Sequence, residues 1–401
     1  MSTIIIIGAS AAGIATASKL RDFDHTARII CITKENTMPY NRCLLADFLG
    51  GSRSIEQVRT KGQHFFTEKN IDLLLGCEVI KLDTEKQVVT TKNQSMVIST
   101  LKYDAVVIAT GRSAFVPSPL NTSIPGIFPF YDLSHTADIV QHITTTNAKK
   151  ALVVGAGITG LECTDALLHH NLEITLVERN AQILARQIDK DGASFLEELI
   201  TRKGVSIHLN TTIENLELST ALDKKKSSFA VTLSNGHQLE TDIIIAATGG
   251  KQNLAFAKEA DITCDEFGII TDDLQRTNVS NVFAAGDVCS VINLASNKRT
   301  CSTLWPDAVA QGLTVANSIV GASKPYQGTL NITSTNIFGT TLVTCGDFSA
   351  LDSCDKLSKN TADFYHRFYL QDGILQSFVM VGNVGSVGQL RKAIIEKLRI
   401  N

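Results

Sequence analysis

The sequence predicts an α/β protein with two parallel-sheet domains of similar construction and a small carboxyl-terminal α+β domain. The first observation is the stretch Ile4–Gly13, in which four isoleucines precede a run of small residues. The second is the recurrence of this pattern, with three glycines, at Ala151–Glu178. A continuous apolar run is typical of a buried parallel strand, and a small-residue turn after it lets backbone N–H groups approach a pyrophosphate at the start of a helix. Both domains are therefore predicted to have a Rossmann-like fold and to bind dinucleotides.

Length and charge narrow the classes of partner. The chain has 401 residues, of which 44% are hydrophobic, and a net charge of −3. This length predicts about two or three domains. The balanced charge offers no basic field for nucleic acid or anionic lipid, so neither partner is predicted. The apolar segments are short and the amino terminus lacks the basic region of a secretory signal, which predicts a soluble cytoplasmic protein.

Nine cysteines are scattered along the chain, without a CxxC pair or the spacing of a zinc site. We therefore predict reduced thiols and no metal centre. Most of these cysteines are expected to be small buried core residues.

The first fingerprint has Gly8 and Gly13 at its first and third glycine positions, whereas Ser10 replaces the second glycine. Taken alone this is a weak match, and the second copy is what supports it. The predicted turn is completed by three alanines, at positions Ala9, Ala11 and Ala12.

An acidic residue after the second strand of such a unit accepts hydrogen bonds from the ribose. The predicted second strand, Ala27–Thr33, ends in Thr33, and Glu35 follows two residues later. Glu35 is therefore the candidate ribose ligand, and the alternative is a solvated surface glutamate.

The rest of the first domain is predicted as a helix across Ile55–Lys69, strands between Ile71 and Val97, and a buried strand at Tyr103–Thr110. Open α/β sheets bind ligands at their carboxyl edge, so Thr110 and Gly111 are expected beside one. Prolines at positions 117, 119 and 125 then mark a connection out of this domain.

The second fingerprint holds Gly155, Gly157 and Gly160 in the expected positions, and Glu178 follows its second strand. A carboxylate there accepts hydrogen bonds from a free ribose 2′-OH and repels a 2′-phosphate, which favours NADH over NADPH. Arg179 could pair with such a phosphate, although a solvated charge is the simpler interpretation. The basic run Asp223–Lys226 is predicted to be a solvated hairpin tip.

The strand at Tyr103–Thr110 ends in the sequence Ala-Thr-Gly (ATG), at positions 109–111. A second strand that ends in ATG, at Thr241–Gly250, places Gly249 at the ligand edge of the second domain. The strand at Val282–Val288 runs into the AAGD segment, Ala284–Asp287, which contains Gly286 and Asp287. A carboxylate at this place can accept hydrogen bonds from a ribityl chain, and Gly286 allows the close backbone approach.

A helix is predicted to open at Leu304–Leu313, with Pro306 in its first turn. Its amino terminus could face electron-rich flavin oxygens, and Trp305 is either a residue of that site or a plain core aromatic. The tail is predicted to form strands at Thr341–Thr344, Phe364–Leu370 and Leu375–Val381 and a helix near Val387–Leu398.

Both fingerprints, both ATG ends and the AAGD segment together make the chain resemble the FAD-dependent pyridine-nucleotide-disulfide oxidoreductase superfamily over nearly its whole length. The resemblance implies a discontinuous FAD-binding domain at 1–115 and 250–325, an NAD(P)H-binding domain at 116–249 and an interface domain at 326–401. It implies FAD contacts from Gly8, Ala9, Ser10, Ala11, Ala12, Gly13, Glu35, Arg42, Val79, Thr110, Gly111, Gly286, Asp287 and Trp305. It implies NADH contacts from Gly155, Gly157, Gly160, Glu178 and Gly249, with Glu162 near the flavin–nicotinamide junction as a catalytic candidate.

Within the superfamily, the segments Pro39–Arg42 and Trp305–Val309 look most like rubredoxin reductases and the flavoprotein portion of assimilatory nitrite reductases. This likeness implies hydride uptake from NADH and electron transfer to a small carrier protein such as a rubredoxin. Arg42 would then lie near the FAD phosphates, where a guanidinium can pair them in a bidentate manner.

Cys43 supports an alternative to electron transfer to a carrier protein, namely a reaction in which this cysteine takes part. It falls at the position of the single redox cysteine in NADH oxidases, NADH peroxidases and coenzyme A-disulfide reductases, and a thiolate there could form a sulfenate or a mixed disulfide. Leu44 and Ala11 depart from that pattern, since a glycine and an active-site histidine are expected at these places. A structural cysteine under the flavin, a Cys43-dependent NADH oxidase or coenzyme A-disulfide reductase, and an NADH-dependent redox sensor all stay open, as do a monomer and a homodimer.

Overall fold

The fold is described by a computed structural model covering residues 2–219, 228–346, 348, 351 and 353–399. The predicted hairpin tip at Asp223–Lys226 lies outside these described residues.

Helices and strands alternate along the first part of the chain. Their bounds are β1 Thr3–Ile7, α1 Ala11–Phe23, β2 Arg28–Ile32, a 3₁₀ turn Arg42–Leu44, α2 Leu45–Leu49, α3 Ile55–Val58, α4 Gln63–Glu68, β3 Ile71–Leu74, β4 Cys77–Asp83, β5 Val88–Asn93, β6 Ile98–Lys102, β7 Ala105–Ile108 and β8 Arg112–Ala114. The middle part continues with β9 Ile127–Pro129, α5 Leu133–Thr146, β10 Lys150–Val154, α6 Ile158–Leu168, β11 Glu173–Val177, α7 Lys190–Arg202, β12 Ser206–His208, β13 Ile213–Ser219, β14 Ser228–Leu233, β15 Gln238–Thr241, β16 Ile243–Ala246 and β17 Gly250–Gln252.

The last part of the chain adds a helix-poor region and the tail. Its elements are α8 Ala255–Glu259, β18 Cys264–Asp265, β19 Gly268–Ile270, β20 Val282–Ala284, β21 Cys289–Ile292, β22 Arg299–Cys301, α9 Trp305–Ile319, β23 Thr333–Ile337, β24 Thr340–Cys345, β25 Asp355–Asn360, β26 Tyr365–Gln371, β27 Ile374–Val381 and α10 Val387–Ile395.

The chain forms two compact units. Unit 1 comprises Met1–Asn41, Glu56–Ser113 and Gln252–Leu330, and unit 2 comprises Arg42–Ile55, Ala114–Lys251 and Asn331–Asn401. The division into three domains predicted from the sequence stays a prediction, because unit 2 groups the second fingerprint with the tail.

The parallel sheet of unit 1 has the strand order β20-β7-β1-β2-β3. The isoleucines of β1 explain its central position, because Ile4 and Ile6 pack into the core on one face and Ile5 and Ile7 into the core on the other. A strand buried on both faces needs apolar residues at every position. Antiparallel strands β4-β5-β6 and the small sheet β18-β19-β21-β22 complete the unit.

Helices α1 and α9 of unit 1 approach each other closely at Gly312. A Cβ added at Gly312 would lie 2.3 Å from the carbonyl oxygen of Ala12. Thr16 reinforces the approach, because its hydroxyl donates to the carbonyl of Ala12 at 2.9 Å and to that of Gly312 at 3.0 Å. The helix that carries the first fingerprint is therefore held directly against α9.

Unit 2 contains a second parallel sheet, with the strand order β12-β11-β10-β16-β9. The tail forms an antiparallel sheet of order β23-β24-β27-β26-β25. Asp189, the residue before α7, joins the two parts of this unit, because it accepts from Tyr365 at 2.8 Å and from Tyr369 at 2.5 Å. It also accepts from the backbone N–H of Gly192 at 2.7 Å, which caps α7.

The α/β fold class predicted from the sequence is confirmed. The three strands and the helix predicted in the tail correspond to β24, β26, β27 and α10, and the structure adds two strands that were not predicted, β23 and β25. The single helix predicted across Ile55–Lys69 is wrong. Two short helices, α3 and α4, occupy this stretch, because Arg59 forms an antiparallel bridge with Tyr40 and Gly62 is extended at φ −91° and ψ 175°.

The described residues were compared with what a membrane span or a metal site requires of a chain. They contain no helix that is both long and apolar enough to cross a membrane. Within the same residues, no group of three or more His, Cys, Asp or Glu side chains could hold a metal ion.

The packing of α1 against α9 predicts the effect of Gly312→Val. The added side chain would force the helices apart, and we expect a loss of about 1–3 kcal/mol in the free energy of unfolding. Urea denaturation followed by the fluorescence of Trp305, the single tryptophan, reports on this unit. Gly388→Ala is the control, since a Cβ there meets no atom within 4 Å. Equal stability of Gly312→Val and the wild type would contradict the prediction.

Candidate functional site

The turn after β1 is shaped by a close approach of two backbone segments. Gly8 has φ +117°, and a Cβ added there would lie 2.1 Å from the carbonyl oxygen of Ala109. Its N–H donates to the carbonyl of Ile32 at 2.7 Å, at the end of β2. Only glycine fits this position, because the left-handed φ and the approach both exclude a side chain.

Helix α1 begins directly after this turn. A Cβ at Gly13 would lie 1.9 Å from the carbonyl oxygen of Gly8, so the first turn of the helix rests on the preceding loop. Ser10 precedes the helix in extended conformation, and Ala9, Ala11 and Ala12 are buried around it. The first N–H groups of a helix lack intrahelical acceptors and are suited to an anion.

The turn after β10 makes the same contacts at the equivalent residues. Gly155 has φ +105°, and its added Cβ would lie 2.6 Å from the carbonyl oxygen of Ala247. Its N–H donates to the carbonyl of Val177 at 2.8 Å, at the end of β11. A Cβ at Gly160 would lie 1.9 Å from the carbonyl oxygen of Gly155.

Ser10 and Gly157 occupy the middle position of the two fingerprints, directly before the helices α1 and α6. Gly157 has φ −76° and ψ −179°, and Ser10 has φ −100° and ψ −159°, so both residues are extended and the serine is not strained. A Cβ at Gly157 would meet no protein atom within 4 Å. The protein itself does not require this glycine, and the vacant space at the helix start fits the close approach of a pyrophosphate.

Glu178, directly after β11, lies against the second turn. Its Oε2 accepts from the backbone N–H of Ala156 at 2.7 Å. Its Oε1 accepts from the backbone N–H and the side-chain amide of Asn180, at 2.9 and 2.6 Å. The carboxylate is thus fixed beside the glycine-rich turn, as a ribose ligand has to be.

We call each glycine turn, together with the residues that follow its second strand, a cradle: the first is Gly8–Gly13 with Thr33 and Glu35, and the second is Gly155–Gly160 with Glu178. The two cradles differ in the residue directly after the second strand. Thr33 follows β2, and its hydroxyl accepts from the backbone N–H of Glu35 at 3.3 Å. Glu35 is half-buried, and its Oε2 accepts from the hydroxyl of Tyr40 at 2.8 Å. This bond gives the predicted ribose ligand of the first cradle a defined position.

Both ATG ends lie beside their cradles. The Ala109 and Ala247 carbonyls contact Gly8 and Gly155, so Thr110–Gly111 and Thr248–Gly249 follow at the carboxyl edge of each sheet. Gly111 has φ +57° and Gly249 has φ +81°, and neither has a protein atom within 4 Å of an added Cβ. Backbone that is open in this way can approach a ligand closely.

The AAGD segment lies next to the first cradle. An added Cβ at Gly286 would lie 3.1 Å from Ala12 of α1 and 3.7 Å from Ala308 of α9. The Gly286 N–H donates to Oε1 of the buried Gln311 at 2.8 Å. Asp287 is half-buried, and its carbonyl accepts from the thiol of Cys301. Unit 1 therefore brings Gly8–Gly13, Thr110–Gly111 and Gly286 together.

Trp305 is the first residue of α9 and packs, half-buried, against the core beneath α1. Val79, on β4, is buried in the core on the other face of the sheet. The roles that the resemblance implies for these two residues stay predictions.

Glu162 lies on α6, in the second turn after the second cradle. Its Oε1 accepts from the hydroxyl of Thr335, on β23 of the tail, at 2.6 Å. Burial raises the pKa of its carboxyl and the charge of Asp47 adds to the rise, whereas the bond from Thr335 opposes it. Glu162 is therefore an unusually basic carboxyl between α6 and the tail.

Cys43 lies in the 3₁₀ turn Arg42–Leu44 and is exposed. Cys31 and Cys163 are fully buried, and burial raises the pKa of both thiols, that of Cys31 to about 12. Arg42 donates from Nη1 to the carbonyl of Tyr131 at 3.0 Å, within unit 2. Its predicted contact with FAD phosphates stays a prediction.

Several residues that shape the site were not predicted. Asn253 donates from its amide to the carbonyl of Thr110 at 2.9 Å and accepts from Ser113 at 2.8 Å. The others are Asn180, Gln311 and Thr335. Of these, only Asn180 lies close in sequence to its partner, so adjacency to Glu178 was the one available signal.

Comparison with known proteins assigns these features to a family. Residues 2–312 match the model of the family described as pyridine nucleotide-disulphide oxidoreductase. The chain is 28% identical over 329 residues to an NADH oxidase of Methanocaldococcus jannaschii, covering 82% of this chain and 72% of the relative.

Two further relatives differ in the acceptor that their names give. A coenzyme A disulfide reductase of Staphylococcus epidermidis is 30% identical over 293 residues, covering 72% of this chain and 64% of the relative. A rubredoxin-NAD(+) reductase of Pseudomonas putida is 25% identical over 323 residues, covering 80% and 81%. In fold, the chain matches putidaredoxin reductase, solved as a covalent complex with putidaredoxin, with a TM-score of 0.90 at 22% identity, covering all of this chain and 94% of that one.

The open space at Gly157 predicts a separation of binding from stability. Gly157→Ala should lower the melting temperature little, since no protein atom lies near the added Cβ, and should weaken binding of a nicotinamide dinucleotide by about tenfold, because the second turn, unlike the first with Ser10, has no side chain at this position. Gly155→Ala should instead lower the free energy of unfolding by roughly 1–3 kcal/mol, because its φ is left-handed. Thermal melting and isothermal titration calorimetry check both variants. Unchanged affinity in Gly157→Ala would contradict the prediction.

The raised pKa of Glu162 predicts a pH-dependent stability. The folded state holds the carboxyl proton of Glu162 more tightly than the unfolded state, in which the carboxyl has its ordinary pKa of 4.5. The contribution of Glu162 to the free energy of unfolding therefore falls as the pH rises above 4.5. Glu162→Gln removes the charge, and its melting temperature relative to the wild type should rise as the pH is increased above 4.5. The exposed Glu240→Gln is the control. A difference that is independent of pH would contradict the assignment.

Proposed function

The chain belongs to the pyridine nucleotide-disulphide oxidoreductase family, and we propose that it oxidises NADH through FAD and passes the electrons to a small one-electron carrier protein such as a rubredoxin. Members of the family are oxidoreductases that use FAD and a pyridine nucleotide. The choice of NADH and of the carrier is the proposal.

The duplicated cradle carries this proposal. Gly8 and Gly155 make the same contacts with the strand-end alanines Ala109 and Ala247, and both turns open onto a helix start. One such turn binds one pyrophosphate. A chain with two of them can hold two dinucleotides, as a flavoprotein that is reduced by NADH requires.

In the proposed function, residues of unit 1 bind FAD and residues of unit 2 bind NADH. The turn Gly8–Gly13 binds the FAD pyrophosphate, and Glu35 and Asp287 accept hydrogen bonds from the hydroxyls of its ribose and ribityl chain. The turn Gly155–Gly160 binds the NADH pyrophosphate, and Glu178 accepts from its ribose. The flavin supplies the redox chemistry, since it takes up two electrons together and releases them singly or in pairs. The protein contributes orientation and the exclusion of water.

Two observations support a carrier protein as the acceptor. The segments Pro39–Arg42 and Trp305–Val309 look like those of rubredoxin reductases, and a rubredoxin-NAD(+) reductase is among the relatives. Scattered cysteines favour a reducing compartment, and the proposed location is the cytoplasm.

A second candidate function depends on Cys43. The exposed position of this residue makes its sulfur accessible to a disulfide substrate, and the relatives include a coenzyme A disulfide reductase and an NADH oxidase. A thiolate at this place would attack the disulfide, forming a mixed disulfide with one half of the substrate and releasing the other half as a thiolate. Two electrons from NADH, with protons from solvent, would then cleave the mixed disulfide, release the second half as a thiol and regenerate the Cys43 thiolate.

The variant Cys43→Ser separates the two functions. NADH turnover is measured in parallel with rubredoxin, coenzyme A disulfide, peroxide and oxygen as acceptors. We expect Cys43→Ser to retain rubredoxin reduction within about twofold of the wild type, a change in the barrier below half a kcal/mol. Cys354→Ser is the control, since it changes a half-buried thiol of the same unit.

Other outcomes would decide against the proposal. Loss of all turnover in Cys43→Ser, with activity of the wild type on coenzyme A disulfide, would establish the thiol-dependent reductase. Slow bleaching of the flavin by NADH in stopped-flow measurements would favour a redox sensor. A purified protein without flavin absorbance, which FAD could not restore, would exclude a flavoprotein.

A further inference from the structure

The Glu178 carboxylate is held by three N–H donors. Two are backbone groups, those of Ala156 at 2.7 Å and Asn180 at 2.9 Å. The third is the side-chain amide of Asn180, at 2.6 Å from Oε1. Glu178 is 8% exposed, so its carboxylate is largely shielded from solvent. Only the third depends on which amino acid occupies position 180.

A carboxylate offers about four acceptor positions. Three N–H donors leave one acceptor for a hydroxyl, and they also hold both oxygens in place. A carboxylate that cannot turn away presents a fixed negative charge to the ribose. A 2′-OH can donate to it, whereas a 2′-phosphate meets repulsion that the side chain cannot relieve by rotating.

The adjacent Arg179 would favour a dinucleotide with a 2′-phosphate. Its side chain is exposed, and a guanidinium can bind a phosphate in a bidentate manner. Without the amide of Asn180, the carboxylate keeps only its two backbone donors, one on each oxygen, and Oε1 is less firmly held and freer to reorient toward this arginine. The negative charge at the ribose would then be partly neutralised, and the arginine would be close to a 2′-phosphate.

We propose that Asn180 is a positioning residue that sets the preference of the second cradle for a dinucleotide with a free 2′-OH. It does so by fixing the carboxylate of Glu178 rather than by contacting the dinucleotide. The inference rests on the proposed function in one respect, namely that the second cradle binds a nicotinamide dinucleotide.

The test is a binding measurement that does not depend on turnover. The dissociation constants of NAD⁺ and NADP⁺ are measured by isothermal titration calorimetry on the FAD-loaded protein, for the wild type, Asn180→Ala and Asn180→Ser. A hydrogen bond to a charged group is worth about a tenfold change in an equilibrium, so the ratio of the NADP⁺ to the NAD⁺ dissociation constant should fall about tenfold in Asn180→Ala. Asn180→Ser retains a donor and should give an intermediate ratio.

Asn215→Ala is a matched control. Asn215 donates from its amide to Glu217 at 2.9 Å and is also two residues from its partner, but it lies on β13. Its removal should leave the ratio unchanged. Arg179→Ala in the Asn180→Ala background should reverse any gain in NADP⁺ affinity. Thermal melting verifies that the exposed position 180 tolerates each change.

The outcomes separate the two proposals. A wild-type protein that binds neither NAD⁺ nor NADP⁺ would overturn the proposed function. A wild type that prefers NAD⁺, with the same ratio in Asn180→Ala, would overturn the role of Asn180 and leave the proposed function intact. A wild type that binds NADP⁺ as well as NAD⁺ would also overturn the role of Asn180, because the fixed carboxylate would then not discriminate.

Discussion

Two backbone carbonyls, those of Ala109 and Ala247, lie so close to Gly8 and Gly155 that neither turn admits a side chain. These contacts lie where β1 pairs with β7 and where β10 pairs with β16. They set the direction in which the chain leaves each sheet, so that α1 and α6 begin at its carboxyl edge. The contacts of Gly13 and Gly160 with the same glycines extend the constraint into the first helical turn. The geometry of both glycine turns therefore follows from steric contacts of a few residues.

The two cradles share this steric frame and differ in polar groups. In the second, Glu178 is bound to the turn itself through Ala156. In the first, Thr33 occupies the equivalent place, and Glu35 is bound by Tyr40. Glu35, the predicted ribose ligand, lies two residues further from its strand, and the hydroxyl of Tyr40 fixes its position. The difference accords with two dinucleotides of different structure.

Sequence patterns predicted the features that local sterics determine. The isoleucines of β1 and the glycines at 8, 13, 155 and 160 impose their requirements within a few residues, and the structure places them in the predicted turns. Contacts between distant segments could not be predicted. Thr335 bonds to Glu162, and Asn253 to Thr110, across long stretches of chain with no shared pattern. The helix predicted across Ile55–Lys69 failed for the same reason, since the bridge between Arg59 and Tyr40 interrupts it.

The strand order of unit 1 bears on the order of events during synthesis. Strand β20 pairs with β7, yet it lies beyond the whole of the second parallel sheet in the chain. The edge of β7 therefore stays unpaired until Val282–Ala284 has left the ribosome, and α1 lacks its partner until α9 follows. Exposed strand edges invite pairing with other chains. Chaperone binding to nascent chains that end before this point is the expected cellular counterpart of this topology.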